Sequence, residues 1–187
     1  MAGDARARMV ASAADLLARR GLQATSFSEV LEHAGAPRGS VYHHFPKGKE
    51  QLIASALDLA GDRAIALLNR KAGEPAEAVA AWFLHIWREV LIRSEFDAGC
   101  AVLAVTVATD SAQLRERAAA VFRAWRRRLG ELLEAGGLSS SDAARFAAAL
   151  IATSEGAVAL SRAEQSLEPF DLAAEHLLQH VRSLASK

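Results

Sequence analysis

Apolar residues recur with helical periodicity along nearly the whole chain. The first periodic segment predicts a helix from Asp4 to Arg20, followed by Gly21, a residue type common just after a helix. The apolar face of this helix consists of Met9, Ala13, Leu16 and Leu17. The first helix is therefore expected to end near Arg20.

Two shorter apolar segments follow, on either side of the sequence AGAP at residues 34–37. Ser26 and Glu29 have the spacing of a capping box, so the first of these helices is expected to begin after Ser26 and to stop at Gly35. The second is expected to open at residue 37 or 38, because proline suits the first turn of a helix, and to end at Pro46. Two short helices joined by such a turn predict a helix-turn-helix.

The rest of the chain is also predicted to be helical. Further helices are expected at about residues 47–71, 75–94, 111–135, 139–163 and 169–185. The segment AVLAVTVAT at residues 101–109 has the composition of a strand, but we interpret it as helix because no partner strand exists. The sequence predicts an all-α fold with an N-terminal three-helix domain, residues 1–50, and a C-terminal helical domain, residues 51–187. The helix that begins near Lys47 is expected to bridge them.

Composition and charge agree with a helical chain and indicate where it meets a partner. About half of the 187 residues are apolar, and alanine and leucine dominate. The net charge is zero, so the whole chain gives no sign of a nucleic-acid partner. Residues 1–49, however, carry seven arginines and lysines against four acidic residues, a net charge of about +3. This modest asymmetry is expected if the N-terminal part meets an anionic partner.

Cysteine content and hydropathy restrict the cellular compartment. Cys100 is the only cysteine, which excludes an internal disulfide and a metal site built from several cysteines. We interpret it as a small buried apolar residue, with a redox sensor as the alternative. No apolar run approaches the ~18 residues that a membrane span needs, and the N-terminus lacks a continuous apolar signal region. A soluble, cytoplasmic protein is expected.

The predicted helix-turn-helix carries the residue types that DNA recognition needs. Its second helix enters the major groove, where residues at its N-terminal end reach base edges and flanking groups hold phosphates. We expect Arg38 and Ser40 to face outward, and Gly39 to let the backbone approach the DNA closely. Donors for phosphate oxygens are expected from Thr25, Ser26, Tyr42, His43, His44, Lys47 and Lys49.

These residues also have an ordinary structural interpretation. Tyr42 could pack at the rim of the core, the two histidines could be exposed polar residues, and the two lysines could form a solvated face. We favour DNA binding because all of them converge within about 25 residues of sequence.

Residues 5–57 resemble the DNA-binding domain of the tetracycline-repressor (TetR) family through the sequence GLQATSFSEVLEHAGAPRGSVYHHFPKGKEQL. The shared positions are Gly21, Thr25, Ala34, Gly35, Gly39, Tyr42, His44, Phe45, Lys49 and Leu52. The sequence departs from the family at Phe27, Ala36 and Pro37, which bears on base preference and not on the fold. The segment YHHFPKGKEQL and the pair Gly99-Cys100 are similar to the multidrug-responsive LmrA-like branch of the family.

The resemblance implies a function. Members of the family are nine-helix, two-part transcriptional regulators, not enzymes, which dimerise through their last two long helices and repress transcription until a small molecule binds the C-terminal part. A dimer also has a geometric reason, because one short recognition helix contacts few bases, whereas a two-fold pair reads half-sites spaced by about 34–36 Å per helical turn. We therefore expect a homodimer on a palindromic double-stranded operator, released by a small hydrophobic effector.

The C-terminal helices contain candidates for the dimer interface. The segment ALIATSEGAVAL at residues 149–160 is rich in small residues that permit close helix approach. The expected interface residues are Ala152, Gly156, Ala159, Leu160, Leu177, His180, Val181 and Leu184.

An effector pocket is expected to combine aromatic and polar side chains. The candidates are Trp82, Phe83, Trp87, Cys100, Phe122, Trp125, Phe146, Thr153 and Glu155. The alternative is that the aromatic residues form the core and that the small polar residues pack at the dimer seam. His176 and His180 have a spacing that could hold a metal, but no third ligand is evident, so no metal or other cofactor is expected.

Two rival function classes have distinct consequences. An all-helical enzyme or lipid-binding module would use Tyr42, His43 and His44 in catalysis, but no nucleophile, carboxylate pair or phosphate loop accompanies them. A helical ligand- or partner-binding protein without functional DNA binding would not bind duplexes at any salt concentration. A DNA-binding regulator, in contrast, has an affinity that falls steeply as salt is added.

Overall fold

The computed structural model describes residues 2–37 and 39–186, and these residues form nine α-helices and no strand. The helices are α1 (Ala2–Arg20), α2 (Phe27–Ala34), α3 (Ser40–His44), α4 (Lys49–Asn69), α5 (Ala76–Arg93), α6 (Ala101–Ala108), α7 (Ala112–Ala135), α8 (Ser140–Glu164) and α9 (Glu168–Ala185). The prediction of an all-α fold is confirmed, and the segment with strand-like composition is helix α6.

Helix α3 is shorter than the sequence pattern predicts. Its start was expected at residue 37 or 38, whereas the helix spans Ser40–His44 and Pro37 lies outside it. The reason is the turn that ends α2. Gly35 has the left-handed conformation (φ 59°), and the Ala36 amide donates back to the Leu31 carbonyl over 3.0 Å, so the chain leaves α2 in a turn before a new helix can begin.

The described residues pack as two compact units. The first unit falls within Met1–Arg63 and Cys100–Phe122, and the second within Ala64–Gly99 and Arg123–Lys187. Helices α4 and α7 contribute residues to both units. Packing therefore groups residues 100–122 with the N-terminal helices, whereas the boundary predicted at residue 50 concerns the division of functions and stays a prediction.

The first unit has its core where α1, α2 and α6 meet. Fully buried apolar side chains of this core include Met9, Leu17, Val30, Phe45, Ile53, Leu57, Val102 and Val105. Val41 and Phe45 are the inward-facing residues of the α3 region, at 1% and 0% exposure. Burial of these two side chains holds the short helix in place, since five residues alone do not make a stable helix.

The second unit is built from α5, α8 and α9 packed against one another, together with the ends of α4 and α7. Its fully buried side chains include Leu91, Leu129, Leu133, Phe146, Leu150, Phe170 and Val181. Among the described residues, α8 alone has the length and composition to cross a membrane. Half of its apolar window is buried inside the chain, as in the core helix of a folded domain.

Candidate nucleic-acid interface

A capping box and a left-handed glycine fix the two ends of α2. The Glu29 amide donates to Ser26 Oγ over 3.2 Å, and the Ser26 amide donates to Glu29 Oε2 over 3.2 Å. At the other end, the Gly35 amide donates to the Glu32 carbonyl over 3.2 Å. Local hydrogen bonds at both ends therefore set where α2 stops and in which direction the chain continues toward α3.

Helix α3 has one buried face and one exposed face. Behind the exposed side chains, Val41 and Phe45 fill the core of the first unit. Tyr42 is 70% exposed, the most exposed of the aromatic side chains whose burial is described, and His43 is exposed as well. The rings of His43 and His44 meet edge to face, with their centroids 5.2 Å apart. Helix α3 therefore presents an aromatic hydroxyl and an imidazole to solvent, and both groups can donate a hydrogen bond to an anion.

The segment after α3 carries two lysines with different surroundings. Lys47 is exposed, its amide donates to Gln51 Oε1 over 3.0 Å, and its ammonium has no ion pair or hydrogen bond among the described residues. Lys49 is half-buried, and its Nζ donates to the Leu22 carbonyl over 3.1 Å. Lys47 is therefore available to a phosphate, whereas Lys49 already ties the start of α4 to the turn after α1.

The two hydroxyl residues before α2 also differ. Thr25 is buried, at 1% exposure, and its Oγ1 donates to the Gly21 carbonyl over 2.8 Å. Ser26 is half-buried and serves as the N-cap of α2. Thr25 was expected to contact phosphate, and its side chain instead stabilises the turn between α1 and α2.

Three of the residues expected at the DNA are neighbours in the sequence. Gly39 is exposed, with open space around its α-carbon. Ser40 begins α3. Arg38, which was expected to reach base edges, lies outside the described residues.

Acidic residues of this region are engaged by neighbouring cations. Asp4 pairs with Arg8, Asp15 pairs with Arg19 over 3.2 Å, and Glu29 pairs with Arg20 over 3.7 Å. These exposed pairs contribute little to stability, but they reduce the negative potential beside the helix-turn-helix. Glu32 on α2 and Glu50 on α4 are exposed and form no such pair among the described residues, so the negative potential beside α3 and Lys47 is reduced but not removed.

Two residues outside the predicted set contact the α3 region. The ring of Phe27 meets the ring of Tyr42 edge to face, with centroids 5.9 Å apart. The guanidinium of Arg6 lies over the Phe45 ring at 5.3 Å and donates to Ser55 Oγ over 3.1 Å. Both contacts join different helices, so helical periodicity within one segment gives no signal for them.

The expected pocket residues are divided between the two units. Cys100 and Phe122 belong to the first unit and the other seven to the second. Phe83, Trp125, Phe146 and Glu155 are buried, while Trp82, Trp87, Phe122 and Thr153 are half-buried. These burial levels suit both interpretations, a pocket wall and a helical core.

Several of these side chains already have partners. Trp82 Nε1 donates to the Leu67 carbonyl over 2.8 Å, and Arg70 and Lys71 lie over its ring at 5.6 and 5.9 Å. Cys100 is 8% exposed and caps α6, where its Sγ accepts from the Leu103 amide over 3.4 Å. Trp82 is therefore held against the end of α4.

The expected interface residues also have two kinds of surroundings. On α8, Ala152, Gly156 and Ala159 are exposed, and Leu160 is 55% exposed. On α9, the remaining four fall on both sides of the helix. Leu177 and Val181 are buried at 3% and 0%, Leu184 is half-buried, and His180 is exposed with its ring 5.7 Å from that of Phe146. Leu177 and Val181 thus pack inside their own unit, because α9 turns them toward α5 and α8.

The described residues contain no group of three or more His, Cys, Asp or Glu side chains that could hold a metal ion. They do contain a surface cleft of about 500 Å³, lined by Glu95, Phe96, Asp97, Ala159, Arg162, Ala163 and Gln165. None of the expected pocket residues lines this cleft.

Comparison with known families gives two matches that together span most of the chain. Residues 10–56 match the family described as "Bacterial regulatory proteins, tetR family". Residues 75–176 match the family described as "Transcriptional regulator LmrA/YxaF-like, C-terminal domain". The first match includes the helix-turn-helix described above, and the second extends from the last residue before α5 into α9.

Known proteins with similar sequences have the same description. An uncharacterized HTH-type transcriptional regulator of Mycobacterium tuberculosis is 40% identical over 176 residues, which cover 89% of each chain. The HTH-type transcriptional regulator LmrA of Bacillus subtilis is 28% identical over 171 residues, 89% of this chain and 91% of that one.

Solved structures agree with the fold. The regulatory protein TetR from Rhodobacter sphaeroides superposes with a TM-score of 0.84 at 22% identity, over 94% of this chain and 98% of that one. A TetR transcriptional regulator from Chloroflexus aurantiacus gives a TM-score of 0.78 at 29% identity, over 97% and 96%.

Proposed function

Because this chain belongs to the TetR family of HTH-type transcriptional regulators, we propose that it binds a palindromic DNA operator as a homodimer and represses transcription until a small hydrophobic ligand releases it. Membership of the family makes the protein a DNA-binding regulator and not an enzyme, so Tyr42, His43 and His44 have no catalytic role. Its site of action is then the compartment that holds the DNA, the cytoplasm of a bacterial cell.

The observation that carries the proposal is the two-faced helix α3. Val41 and Phe45 anchor it in the first unit, while Tyr42 at 70% exposure and His43 point away from that core. A helix-turn-helix of this kind lies in the major groove, with phosphate-binding groups at its edges. We assign phosphate contacts to Tyr42, His43 and Lys47, with Arg38, Gly39 and Ser40 nearest the bases.

Lys49 and Thr25 have supporting roles in this proposal. The Lys49 ammonium carries three donors, and one is directed at the Leu22 carbonyl. The remaining two allow a phosphate contact in the complex. Thr25 positions the N-terminus of α2 through its bond to the Gly21 carbonyl, and the free amides of that N-terminus attract a phosphate.

Dimerisation is proposed to use the exposed small residues of α8. Ala152, Gly156 and Ala159 recur at spacings of four and three residues and lie on the surface beside Leu160. Such a stripe allows a second α8 to approach closely, and two-fold symmetry then matches the symmetry of a palindrome. His180 and Leu184 of α9 would border this interface.

Ligand release is proposed to act by a shift in population. We call the helix-turn-helix domain of each protomer its reading head. A ligand can bind more tightly to a conformation in which the two reading heads do not match the spacing of the half-sites. Such a ligand weakens operator binding by its difference in affinity for the two conformations. Helix α4 connects the two processes, because it begins beside the helix-turn-helix and ends in the second unit. The aromatic residues of the C-terminal part favour an apolar ligand.

The experiment that tests the proposal is selection from a random duplex library with the full-length chain. The expected product is a palindrome bound by a dimer, with the affinity lost when either half-site is scrambled. Recovery of no common sequence, with equal affinity for all duplexes, would contradict the proposal. A thermal-shift screen of apolar compounds, repeated with the operator present, then identifies ligands that release it.

A further inference from the structure

Helices α4 and α7 touch at two places within the first unit, through an ion pair and through a close approach at a glycine. We call Asp58 and Gly61 of α4, together with Arg117 and Val121 of α7, the α4–α7 seam. All four residues fall within the first unit, which also contains the helix-turn-helix. The seam therefore belongs to the same compact body as the reading head.

The first contact of the seam is a two-pronged ion pair. Arg117 Nε donates to Asp58 Oδ1 over 2.5 Å, and Arg117 Nη2 donates to Asp58 Oδ2. The hydrogen bond to Asp58 raises the pKa of Arg117 above its usual value, and the charge of Asp58 adds to the effect. Both side chains are partly exposed, at 52% and 39%, so the pair contributes little to global stability. Its planar fork geometry instead fixes the relative position of the two helices.

The second contact is a close approach at a glycine, where any larger side chain would crowd its neighbour. A β-carbon added at Gly61 would lie 3.1 and 3.3 Å from the two γ-carbons of Val121. Gly61 and Val121 are both buried. A glycine inside a helix costs roughly 1 kcal/mol relative to alanine, so a packing reason is expected for it. Here the glycine brings the backbone of α4 against the Val121 side chain.

The two contacts lie about one turn apart on each helix. Together they set the distance between the helices and oppose sliding of one helix along the other. The same two helices also continue into the second unit, where Arg128 Nε donates to Asn69 Oδ1 over 2.6 Å. A shift of α4 along α7 would have to break or rearrange these contacts. The seam is the part of the first unit that resists this shift.

Resting on the function proposed above, we propose that Asp58, Gly61, Arg117 and Val121 are positioning residues that set the spacing between the two reading heads of the dimer. They touch no DNA. A rigid seam preorganises one head separation, so an operator of matching spacing is bound without further ordering. A loosened seam makes the separation variable, which lowers the affinity for the matching operator and flattens the preference for spacing.

The test measures affinity for three kinds of duplex. The first is the selected operator, the second is the same operator with one base pair added or removed between the half-sites, and the third contains a single half-site. The wild-type chain is expected to prefer the first over the second clearly. Spacing preference is the decisive quantity, because damage to the helix-turn-helix would lower all three affinities together.

The seam variants are Asp58→Asn and Gly61→Ala. Each is expected to weaken binding of the matching operator by about fivefold to tenfold, while half-site affinity changes less than about twofold, since only preorganisation is lost. Adding Val121→Ala to Gly61→Ala provides space for the new methyl group and is expected to restore the spacing preference. Reversal of the ion pair, Asp58→Arg with Arg117→Asp, is expected to restore more binding than either change alone.

Matched controls exist for both contacts. Arg88 and Asp171 form an equally two-pronged pair within the second unit, with Arg88 Nε 2.9 Å from Asp171 Oδ1. Gly130 lies on α7 with no atom within 4 Å of an added β-carbon. Asp171→Asn and Gly130→Ala are expected to leave the spacing preference unchanged.

The outcomes separate this inference from the proposed function. An unchanged spacing preference in both seam variants, with intact operator binding, overturns the role of the seam and leaves the function standing. Equal loss on matched, mismatched and half-site duplexes also overturns it, because the residues would then act on folding alone. Failure of the wild-type chain to bind any duplex contradicts the function itself.

Discussion

At the scale of single residues, Tyr42 is the exposed side chain of α3 to which we assign a phosphate contact. We expect Tyr42→Phe to weaken binding to all duplexes by at least about tenfold, because a hydrogen bond to a charged group is worth about 1.5–3 kcal/mol and each 1.4 kcal/mol is about a factor of ten. The ring and its edge contact with Phe27 stay in place, so the urea midpoint is expected to be unchanged. Fluorescence anisotropy with operator and random duplexes measures the effect. Unchanged affinity for both would remove Tyr42 from the site.

Substitutions of the two lysines after α3 are expected to have different effects, one on DNA binding and the other on stability. For Lys47→Met we predict weaker binding and a salt dependence that is reduced by about one phosphate contact per protomer, with unchanged stability. For Lys49→Met we predict a loss of about 0.5–1.5 kcal/mol of unfolding free energy, because the Leu22 carbonyl loses its donor. Urea unfolding and a salt titration of both variants check this. Identical behaviour of the two would contradict the distinction.

Single residues are also where sequence reasoning was least complete. Thr25 has the residue type of a phosphate ligand, but its hydroxyl is directed at the Gly21 carbonyl, a contact between residues four apart that composition does not reveal. Leu177 and Val181 fit an interface pattern, yet they pack inside their own unit. Periodicity gives the apolar face of a helix, but not which neighbour covers that face.

At the scale of elements, hydrophobic periodicity and capping signals predicted the helices well. The capping box Ser26–Glu29 and Gly35 mark the ends of α2 in both sequence and structure, because these signals are local. The start of α3 was predicted too early, because a proline can follow a turn as well as open a helix. The Asp58–Arg117 pair could not be predicted, since its members are 59 residues apart.

The left-handed turn at Gly35 is the element-scale feature with the clearest energetic consequence. Gly35 has φ 59°, so Gly35→Ala is expected to lower the unfolding free energy by about 1–2 kcal/mol. Gly39 has φ −69° and open space around it, so Gly39→Ala serves as the matched control and is expected to change stability by less than about 0.5 kcal/mol. Urea unfolding followed by circular dichroism measures both. Equal losses would show that the turn conformation is not what matters.

At the scale of the whole molecule, the exposed stripe of α8 is the proposed site at which two copies associate. Leu160→Glu is expected to convert the dimer into a monomer at micromolar concentration, because a buried unpaired carboxylate is costly at an interface core. The stability of the isolated chain should change little, since Leu160 is 55% exposed. Sedimentation velocity checks the mass. Val107→Glu, at a 76% exposed position on α6, is the control and should remain dimeric.

The two family-matched segments do not coincide with the two compact units. The chain combines a family-matched DNA-binding segment at residues 10–56 with a family-matched C-terminal segment at residues 75–176, and two long helices carry residues of both compact units. Residues 100–122 belong by sequence to the second segment and by packing to the first unit. The α4–α7 seam lies within the first unit, on the two helices that contribute residues to both units.

The measurement that tests the central claim most directly is the salt dependence of duplex binding by the full-length wild-type chain. If the α3 face lies against phosphates in both halves of a dimer, the logarithm of the association constant should fall linearly with the logarithm of salt concentration. The slope is about −0.9 for each phosphate that a lysine neutralises, so Lys47 and Lys49 of the two protomers predict about −3.6 or steeper. The operator should keep its advantage over random duplex throughout. A slope near zero, or no binding even at low ionic strength, would contradict the account.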